Sequence, residues 1–449
     1  MPSAPAGGIF LSGFMYIYDM KTKKLIADTC ILTSVSLLMR GVGLMFSSYL
    51  SRRIGAEGLG LLAQILSVCG FAVSLAASGI KLTTVRLTVS AASRGMSTSR
   101  TVRMCFLYAL APATLAMMAL VLLSPTAARI IGHPDAQKCF LLYAPALPFI
   151  SVSCVLSGYF TAARKAGTYA VVSTAEQFAR MGLTAGLLTV FLPRGAAGAC
   201  TAVVLGQCIS EALGVAVTML LHRSSRPKDA HNPACPKLSE LLSIALPDSI
   251  SSNLRSALVT VRQILIPRTL RRSGISGRRG MAAYGVVQGM ALPVINFLAC
   301  VPGAFSGLII PEIAECVAQG SKTRAERLMK KALALTFLFS LTVAAAVYIL
   351  APALGRWLFD GEEASFYIRL LAPVIPVSYV DLTCDGILKG LGLQMDSMRY
   401  NIIEAAVCLS MVLVLVPRWG IWGYVAMIFM GEILNFGLSI NRLRKYTEE

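Results

Sequence analysis

Long apolar segments separated by short charged loops recur along this chain from residue 25 to its C-terminal end. Each segment is about 20 residues long, which is the length of α-helix that crosses the hydrocarbon core of a bilayer. Such a helix satisfies its own backbone hydrogen bonds where no water is present. The pattern predicts an all-α polytopic membrane protein with about twelve transmembrane helices. The predicted spans cover residues 25–49, 58–80, 102–124, 139–162, 169–192, 196–221, 239–267, 281–310, 331–353, 365–389, 397–416 and 420–441.

Composition agrees with this class, and the charges predict an orientation. Of 449 residues, 56% are hydrophobic and 14% are charged, whereas a soluble domain carries roughly 25% charged residues. The net charge is +19, and more than half of the lysines and arginines fall in the segments on the same side as the N-terminus. The positive-inside rule therefore predicts that both termini are cytoplasmic, with anionic membrane lipids as partners. The arginine-rich segment Arg268–Arg279, predicted to lie outside, is an exception. No basic run is interleaved with aromatic residues, so a nucleic-acid partner is not expected.

An internal repeat divides the chain into two halves. The segment 122–148 parallels 348–376, and Pro125 falls on Pro352. Each repeated unit holds six spans, an even number, so both halves insert with the same orientation. They should be related by a pseudo-two-fold axis along the membrane normal. We predict a first six-helix bundle at 25–221, a cytoplasmic linker at 222–238 and a second six-helix bundle at 239–445.

Residues 1–24 precede the first span. Their apolar run, 7–20, is too short to cross a membrane. A signal peptide carries its positive charges before the apolar run, whereas Lys21 and Lys23 come after it. We hypothesise that residues 1–19 are a mis-assigned start or a disordered, interfacial extension of a cytoplasmic N-terminus.

Three charged residues interrupt the seventh span at intervals of seven. Asp248, Arg255 and Arg262 share one stripe, because two turns of helix cover about 7.2 residues. A charge at the membrane centre costs at least about 2.5–3.5 kcal/mol, so these side chains should face a polar cavity. Arg40 holds a similar place in the first span. Arginine binds phosphate through forked, charge-assisted hydrogen bonds. The stripe is therefore expected to bind a phosphate-bearing headgroup; alternatively, Asp248 or another carboxylate neutralises each arginine in a buried pair.

Several spaced motifs resemble a known family of exporters. They are KLIADTCILTSVSLLMRGVGLMFSSYLSRRIGAEGLGLL, LSIALPDSISSNLRS, AAYGVVQGMALPVINFLACVPGAFSGLIIPEIAECVAQG and GILKGLGLQMDS. From about residue 21 to 445 the chain is similar to the multidrug/oligosaccharidyl-lipid/polysaccharide exporter superfamily, in its stage V sporulation protein B-like, polysaccharide-biosynthesis branch. The resemblance implies two six-helix bundles around a central cavity. It also implies transport of lipid-linked saccharides, including cell-wall precursors, in a bacterial cytoplasmic membrane. It further implies a role in sporulation.

Other polar residues lie inside the predicted spans. Glu176 and Arg180 have the spacing of an intrahelical ion pair, which is the preferred interpretation, and a place in the cavity is the alternative. Asp381 and Asp385, with Lys389, form either a self-neutralised ladder or an ion site. Glu432 and Asn435 match Gln207 and Ser210 of the first half, and this match indicates packing between the bundles or a coupling-ion site. Glu404 is a further candidate, because its carboxyl group could accept a proton or a cation.

The leading hypothesis is a flippase that moves a polyprenyl-diphosphate-linked saccharide or cell-wall precursor by alternating access. A cation-coupled multidrug exporter of the same superfamily is the alternative, although Arg40 in the first span argues against it. A scaffold for envelope-synthesis enzymes also remains open. The chain is not expected to be an enzyme, because it has neither a phosphate-binding Gly-rich loop nor a sizeable catalytic loop.

No metal site or tightly bound cofactor is expected. The twelve cysteines are scattered without a CxxC motif, and His222, His231 and Cys235 are too loosely spaced to predict zinc. Sodium, protons or the membrane potential could drive transport, and the sequence favours none of them.

Overall fold

The computed structural model describes residues 7–224, 234–274 and 277–448, without the side chains of residues 7–33, 166 and 194. Every regular element in these ranges is a helix. The α-helices are α1 (Gly7–Ala77), α2 (Ile80–Ser93), α3 (Thr98–Ile131), α4 (Ala136–Tyr143), α5 (Ala146–Ala162), α6 (Ala166–Phe191), α7 (Gly195–Ser224), α8 (Leu238–Arg272), α9 (Gly277–Gly285), α10 (Leu292–Ile295), α11 (Cys300–Ala318), α12 (Lys322–Phe359), α13 (Glu362–Leu371), α14 (Ile375–Gly390), α15 (Gln394–Trp419) and α16 (Ile421–Glu448).

The helices account for all twelve predicted crossings. Within the described ranges, eight helical segments are long and apolar enough to cross a membrane, and the bent pair α4–α5 makes nine. One of the eight, Ser34–Ser93, holds two crossings, because the backbone turns at Gly55 with φ 69°. Helices α6 and α8 complete the set, and their charged residues lower their hydropathy. The predicted all-α, two-bundle architecture with twelve spans is confirmed. Most of the predicted linker, residues 225–233 with His231, lies outside the described residues.

The two halves meet at a close crossing of α1 and α9. Gly60 packs against the backbone of Met281, and Gly285 packs against the backbone of Ala56. A Cβ atom on either glycine would overlap the opposite helix, so the crossing requires glycine at both positions.

From this crossing, α1 continues along α8 through a series of polar contacts. Gln64 donates to the carbonyl of Ile264 at 3.2 Å, and Ser74 donates to Asn253 Oδ1 at 2.8 Å. These bonds tie the second crossing of the first half to the first crossing of the second half. In a membrane such contacts hold helices together where hydrophobic burial contributes little.

The eighth crossing, which contains Pro293, Pro302 and Pro311, is interrupted. A π turn at Val286–Ala291 and a 3₁₀ turn at Phe297–Ala299 separate α9, α10 and α11. Interruptions of this kind free backbone carbonyls from the helical pattern. Two of them accept hydrogen bonds from the first crossing: Gly289 from Ser47 Oγ at 2.9 Å, and Asn296 from Arg40 Nη1 at 2.8 Å.

Candidate substrate-binding site

A cavity of about 550 Å³ lies between the halves, with walls from both arms of α1, from α8 and from the interrupted crossing. Its polar groups are hydroxyls and amides, among them Ser47, Ser256, Gln263 and Gln288. The rest of the wall is apolar, and none of the described residues that line it carries a charge. We call this space the central cavity.

Next to the central cavity along α8 lies a smaller polar pocket of about 190 Å³. Ser252 and Arg255 of α8 line it, together with Asp385 and Lys389 of α14 and with residues of α15. Ser252 and Ser256 are one helical turn apart on the same face of α8, so the pocket and the central cavity adjoin. Ser397 Oγ donates to Asp385 Oδ1 at 2.6 Å. Two cations, the carboxylate of Asp385 and several hydroxyl groups thus meet in this space. We call it the phosphate pocket, after the ligand that the sequence predicts for Arg255.

Arg40, Arg255 and Lys389 are exposed inside the membrane-spanning region. None of the ion pairs within the described ranges includes any of the three. Arg40 lies one turn before Gly43, which lines the central cavity. In the predicted orientation, α1 and α8 both begin on the cytoplasmic side, so Arg40 and Arg255 would lie on the cytoplasmic side of the α1 and α8 segments that line the central cavity. A charge in that position must be hydrated or meet an anion.

Arg262 has a different environment from Arg255. Its Nη1 atom lies 3.2 Å from Glu404 Oε1 of α15, and the two side chains are only 19% and 16% exposed. The pair borders a polar cavity of about 170 Å³ together with Glu432, Gln263 and Gln288. The two glutamines therefore stand between the Arg262–Glu404 pair and the central cavity. The predicted alternative, a buried pair with a neighbouring carboxylate, describes Arg262, and its partner is Glu404.

Asp248 does not serve as the counter-ion of the stripe. Among the described ion pairs none joins it to Arg255 or Arg262, and it lines neither the phosphate pocket nor the central cavity. The stripe faces α15 within the second half, because α8 packs along α15 over its length. The seven-residue spacing identified the face of α8 that Asp248, Arg255 and Arg262 share. It could not identify Glu404, the partner of Arg262, which lies on a helix more than 100 residues away in the sequence.

Glu176 and Arg180 depart from the preferred interpretation of an intrahelical pair, which is absent from the described ion pairs. Glu176 turns towards α7 instead, where Gly214 leaves room for its carboxyl group and Glu211 is in contact with it. Arg180 lies close enough to act electrostatically on both glutamates. The reason is steric: a glycine on the neighbouring helix makes a pocket that the carboxyl group fills.

Asp381, Asn435 and Ser439 form a buried polar group between α14 and α16. Asn435 Nδ2 donates to Asp381 Oδ2 at 2.8 Å. Three oxygens remain without a hydrogen bond of normal geometry among the described residues: Asp381 Oδ1, Asn435 Oδ1 and Ser439 Oγ. Asp381 and Asn435 are only 7% and 9% exposed, and Ser439 is fully buried. The Ser439 hydroxyl is close enough to Asp381 to interact with it. Buried oxygens without a donor of normal geometry are unusual, and a water, a proton or a cation commonly satisfies them.

Sequence reasoning missed the parts of the site that carry no charge. Gln263 and Gln288 had no periodic signal, and Ser439 stood out only as a member of a polar helix face. Lys389 was grouped with Asp381 and Asp385, since all three are four residues apart. In the structure Asp381 faces α16, while Asp385 and Lys389 line the phosphate pocket.

Fold and site together define a class: polytopic membrane proteins with two six-span halves around a polar cavity. The chain belongs to the polysaccharide biosynthesis protein family, whose model matches residues 25–304. A second family model, MatE, matches residues 254–415. The first match confirms the predicted polysaccharide-biosynthesis branch.

Two curated relatives come from Bacillus subtilis (strain 168). The chain is 24% identical to stage V sporulation protein B over 428 residues, which are 92% of this chain and 82% of the relative. It is 20% identical to sporulation protein YkvU over 291 residues, which cover 63% of this chain and 64% of that protein.

Solved structures share the fold at low sequence identity. The lipid II flippase MurJ in an inward closed conformation superposes with a TM-score of 0.70 at 10% identity, covering 92% of this chain and 87% of that one. An inward-facing multidrug resistance transporter of the MATE family superposes with a TM-score of 0.64 at 17% identity, covering 93% and 99%.

Proposed function

We propose that this protein is a flippase that carries a prenyl-diphosphate-linked saccharide across the cytoplasmic membrane by alternating access. One observation carries the proposal: Arg255 and Lys389, both exposed and free of ion pairs among the described residues, line the same pocket beside the central cavity. Arg40, equally exposed and without an ion pair there, lies one turn before the cavity-lining part of α1. The polysaccharide biosynthesis family and the name of the lipid II flippase support the same class of substrate.

In this proposal, the two spaces hold different parts of the substrate. A diphosphate in the phosphate pocket would meet the Arg255 guanidinium and the Lys389 ammonium, with the Ser252 hydroxyl as a further donor. Charge-assisted hydrogen bonds to phosphate oxygens are stronger than neutral ones. The saccharide would extend along α8 into the central cavity, while the prenyl chain stays in lipid. Rocking of the halves about the Gly60–Gly285 crossing would then exchange access between the two sides.

The test is reconstitution of the purified protein in liposomes that contain a prenyl-diphosphate disaccharide. Transfer is measured as the fraction of headgroup that a membrane-impermeant reagent reaches. We expect the Arg255→Gln/Lys389→Gln double variant to lose most of the transfer. The matched control is Arg356→Gln on α12, whose guanidinium donates to the Pro352 carbonyl away from the cavity. Undiminished transfer by the double variant would refute the assignment.

The driving force is part of the proposal. Asp381, Asn435 and Ser439 would bind a coupling cation or a proton, because their orphaned oxygens need a positive partner. Transport should then respond to an imposed sodium or pH gradient, and Asp381→Asn should remove the response while Glu315→Gln, on the exposed face of α11, keeps it. A full gradient response in Asp381→Asn excludes this site. In that case the membrane potential remains as the driving force.

A cation-coupled multidrug exporter is the second candidate, because the MatE model matches residues 254–415. Its cavity would be neutral or negative to suit cationic drugs, and the central cavity is uncharged among the described residues that line it. The observation against this candidate is the pair of cations, Arg255 and Lys389, in the neighbouring pocket, because they would repel a cationic drug. Ethidium efflux from proteoliposomes separates the two functions. Efflux that depends on a sodium or pH gradient would favour the exporter.

A further inference from the structure

The central cavity is a polar space with no charged side chain among the described residues that line it. Its volume of about 550 Å³ falls within the roughly 300–1,000 Å³ that enclose a small ligand. The lining includes no aspartate, glutamate, lysine or arginine among the described residues. Arg40 and Arg255 directly precede the segments of α1 and α8 that line it. A bound headgroup would therefore meet cations at one end only.

The polar groups in the wall suit hydroxyl and amide ligands. The side chains of Ser256 and Gln263 make no hydrogen bond to the described residues, so both are available to a ligand. Gln288 Oε1 accepts from the Tyr424 hydroxyl at 3.0 Å, which orients its NH₂ group as a donor. A primary amide offers both two donors and an acceptor, which matches the paired donor and acceptor character of sugar hydroxyls.

An anionic group of a ligand deep in the central cavity would meet little positive charge to neutralise it. The cation behind the wall, Arg262, already holds Glu404, and Glu432 adds a further carboxyl group to the same small cavity. Gln263 and Gln288 separate that cavity from the central one. Burying an unpaired carboxylate costs far more than burying a hydroxyl that finds an amide partner.

The apolar part of the cavity wall also contributes to the selection of the headgroup. Phe46, Leu50, Leu62 and Leu66 line the cavity opposite the amides. They provide contact area for the carbon faces of sugar rings and for methyl groups of acetyl substituents. They give no partner to a charged peptide or to a uronate.

We infer that the headgroup accepted by the central cavity is a short, uncharged saccharide and that Gln263 and Gln288 select it. The inference rests on the proposed flippase function and narrows its substrate class. Prenyl-diphosphate saccharides that carry a carboxylate, either as a uronic acid or on a peptide, are excluded from this cavity.

The experiment compares two lipids that differ in one group. Both carry the same prenyl diphosphate and a disaccharide of N-acetylhexosamines, and in one of them the terminal sugar is replaced by a uronic acid. Transfer of each is measured in liposomes that hold the wild-type protein. We expect the neutral lipid to move at least about tenfold faster, because the cost of burying a carboxylate enters the barrier. Equal rates for the two lipids would contradict the inference about the headgroup but would agree with the flippase function. If neither lipid is transferred, both the inference and the proposed flippase function are wrong.

A second measurement uses variants of the cavity wall. Gln263→Leu should weaken binding of the neutral disaccharide lipid but leave binding of the sugar-free prenyl diphosphate unchanged, because only the saccharide reaches this residue. Gln263→Asn keeps the amide and should restore part of the saccharide affinity. Equal loss for both lipids in Gln263→Leu would show a structural role for Gln263 and contradict its place in selection. Preserved binding of prenyl diphosphate also shows that the variant is folded.

Discussion

The guanidinium of Arg262 on α8 and the carboxylate of Glu404 on α15 lie 3.2 Å apart in a cavity where both side chains are nearly buried. Glu432 of α16 borders the same cavity. Arg262 thus pairs with Glu404 and acts electrostatically on Glu432, and helices far apart in the sequence are held to each other by charge.

Substitutions that break this pair should destabilise the second half, and the loss of Arg262 should cost more stability than the loss of Glu404. Arg262→Gln leaves two carboxyl groups without a cation, and we expect a loss of about 3–5 kcal/mol, which is typical of an orphaned buried charge. Glu404→Gln should cost less, because Arg262 retains Glu432. The double variant should recover part of the loss. Thermal unfolding midpoints in detergent measure the series, and equal effects of the two single variants would contradict a shared cation.

Gly285 should tolerate no side chain. A Cβ atom there meets the backbone of Ala56 and Gly60, which cannot move aside as a flexible side chain would. We expect Gly285→Ala to lower stability by about 1–3 kcal/mol, the usual range for overpacking. Gly437→Ala on α16 is the control, because nothing lies within 4 Å of its added methyl group. Unfolding midpoints of the two variants should differ clearly; matching midpoints would refute the tight crossing.

Arg40→Lys should weaken binding of prenyl diphosphate although the positive charge is kept. The guanidinium has donors for the Asn296 carbonyl and for a phosphate at the same time, whereas an ammonium lacks the planar fork. Hydrogen bonds to charged groups contribute about 1.5–3 kcal/mol, so we expect an affinity loss of about tenfold or more. Titration of the solubilised protein with a prenyl diphosphate measures it. Wild-type affinity in Arg40→Lys would show that charge alone is sufficient.

The contacts of Arg52 should govern access rather than stability. Arg52 donates to the Trp357 carbonyl at 2.6 Å and pairs with Asp360 at 3.1 Å, and both charged side chains are about half exposed or more. Exposed pairs contribute only about 0–1 kcal/mol. We therefore expect Arg52→Ala to leave the unfolding midpoint almost unchanged.

The same variant should open the end of the molecule that the predicted orientation places outside. A cysteine introduced at Leu50, which is buried and lines the central cavity, reports on this opening. Labelling of Leu50→Cys by a membrane-impermeant thiol reagent should rise when Arg52→Ala is added. The protein without the introduced cysteine gives the background. An unchanged labelling rate would show that Arg52 does not close this end.

Much of the architecture could be predicted because a bilayer limits what a chain can do. Apolar segments of fixed length must be helices, so twelve spans could be counted from the sequence. The repeat around Pro125 and Pro352 required two similar halves. Proline also acts locally, as the interruption at 286–299 around Pro293 shows, because a missing amide hydrogen breaks the helical pattern wherever the chain goes.

The candidate site could be predicted only in part. Arg40, Arg255 and Arg262 were expected in a cavity because a charge among apolar residues is costly in any packing arrangement. Their partners could not be predicted, since the spacing along one helix carries no information about a neighbouring helix. Arg262 was free to meet Asp248, Glu404 or a phosphate until α15 was placed beside α8.

The sequence alone determined the class of this protein, the number of its crossings, its two halves and the residues whose charge needs a polar surrounding. These follow from local chemistry: hydrocarbon demands helices and excludes unpaired charge. Tertiary structure alone decided that Glu404 neutralises Arg262, that Lys389 joins Arg255, and that Gln263 and Gln288 form an uncharged cavity wall. These relationships depend on which helices pack together, and that is decided by shape over the whole chain.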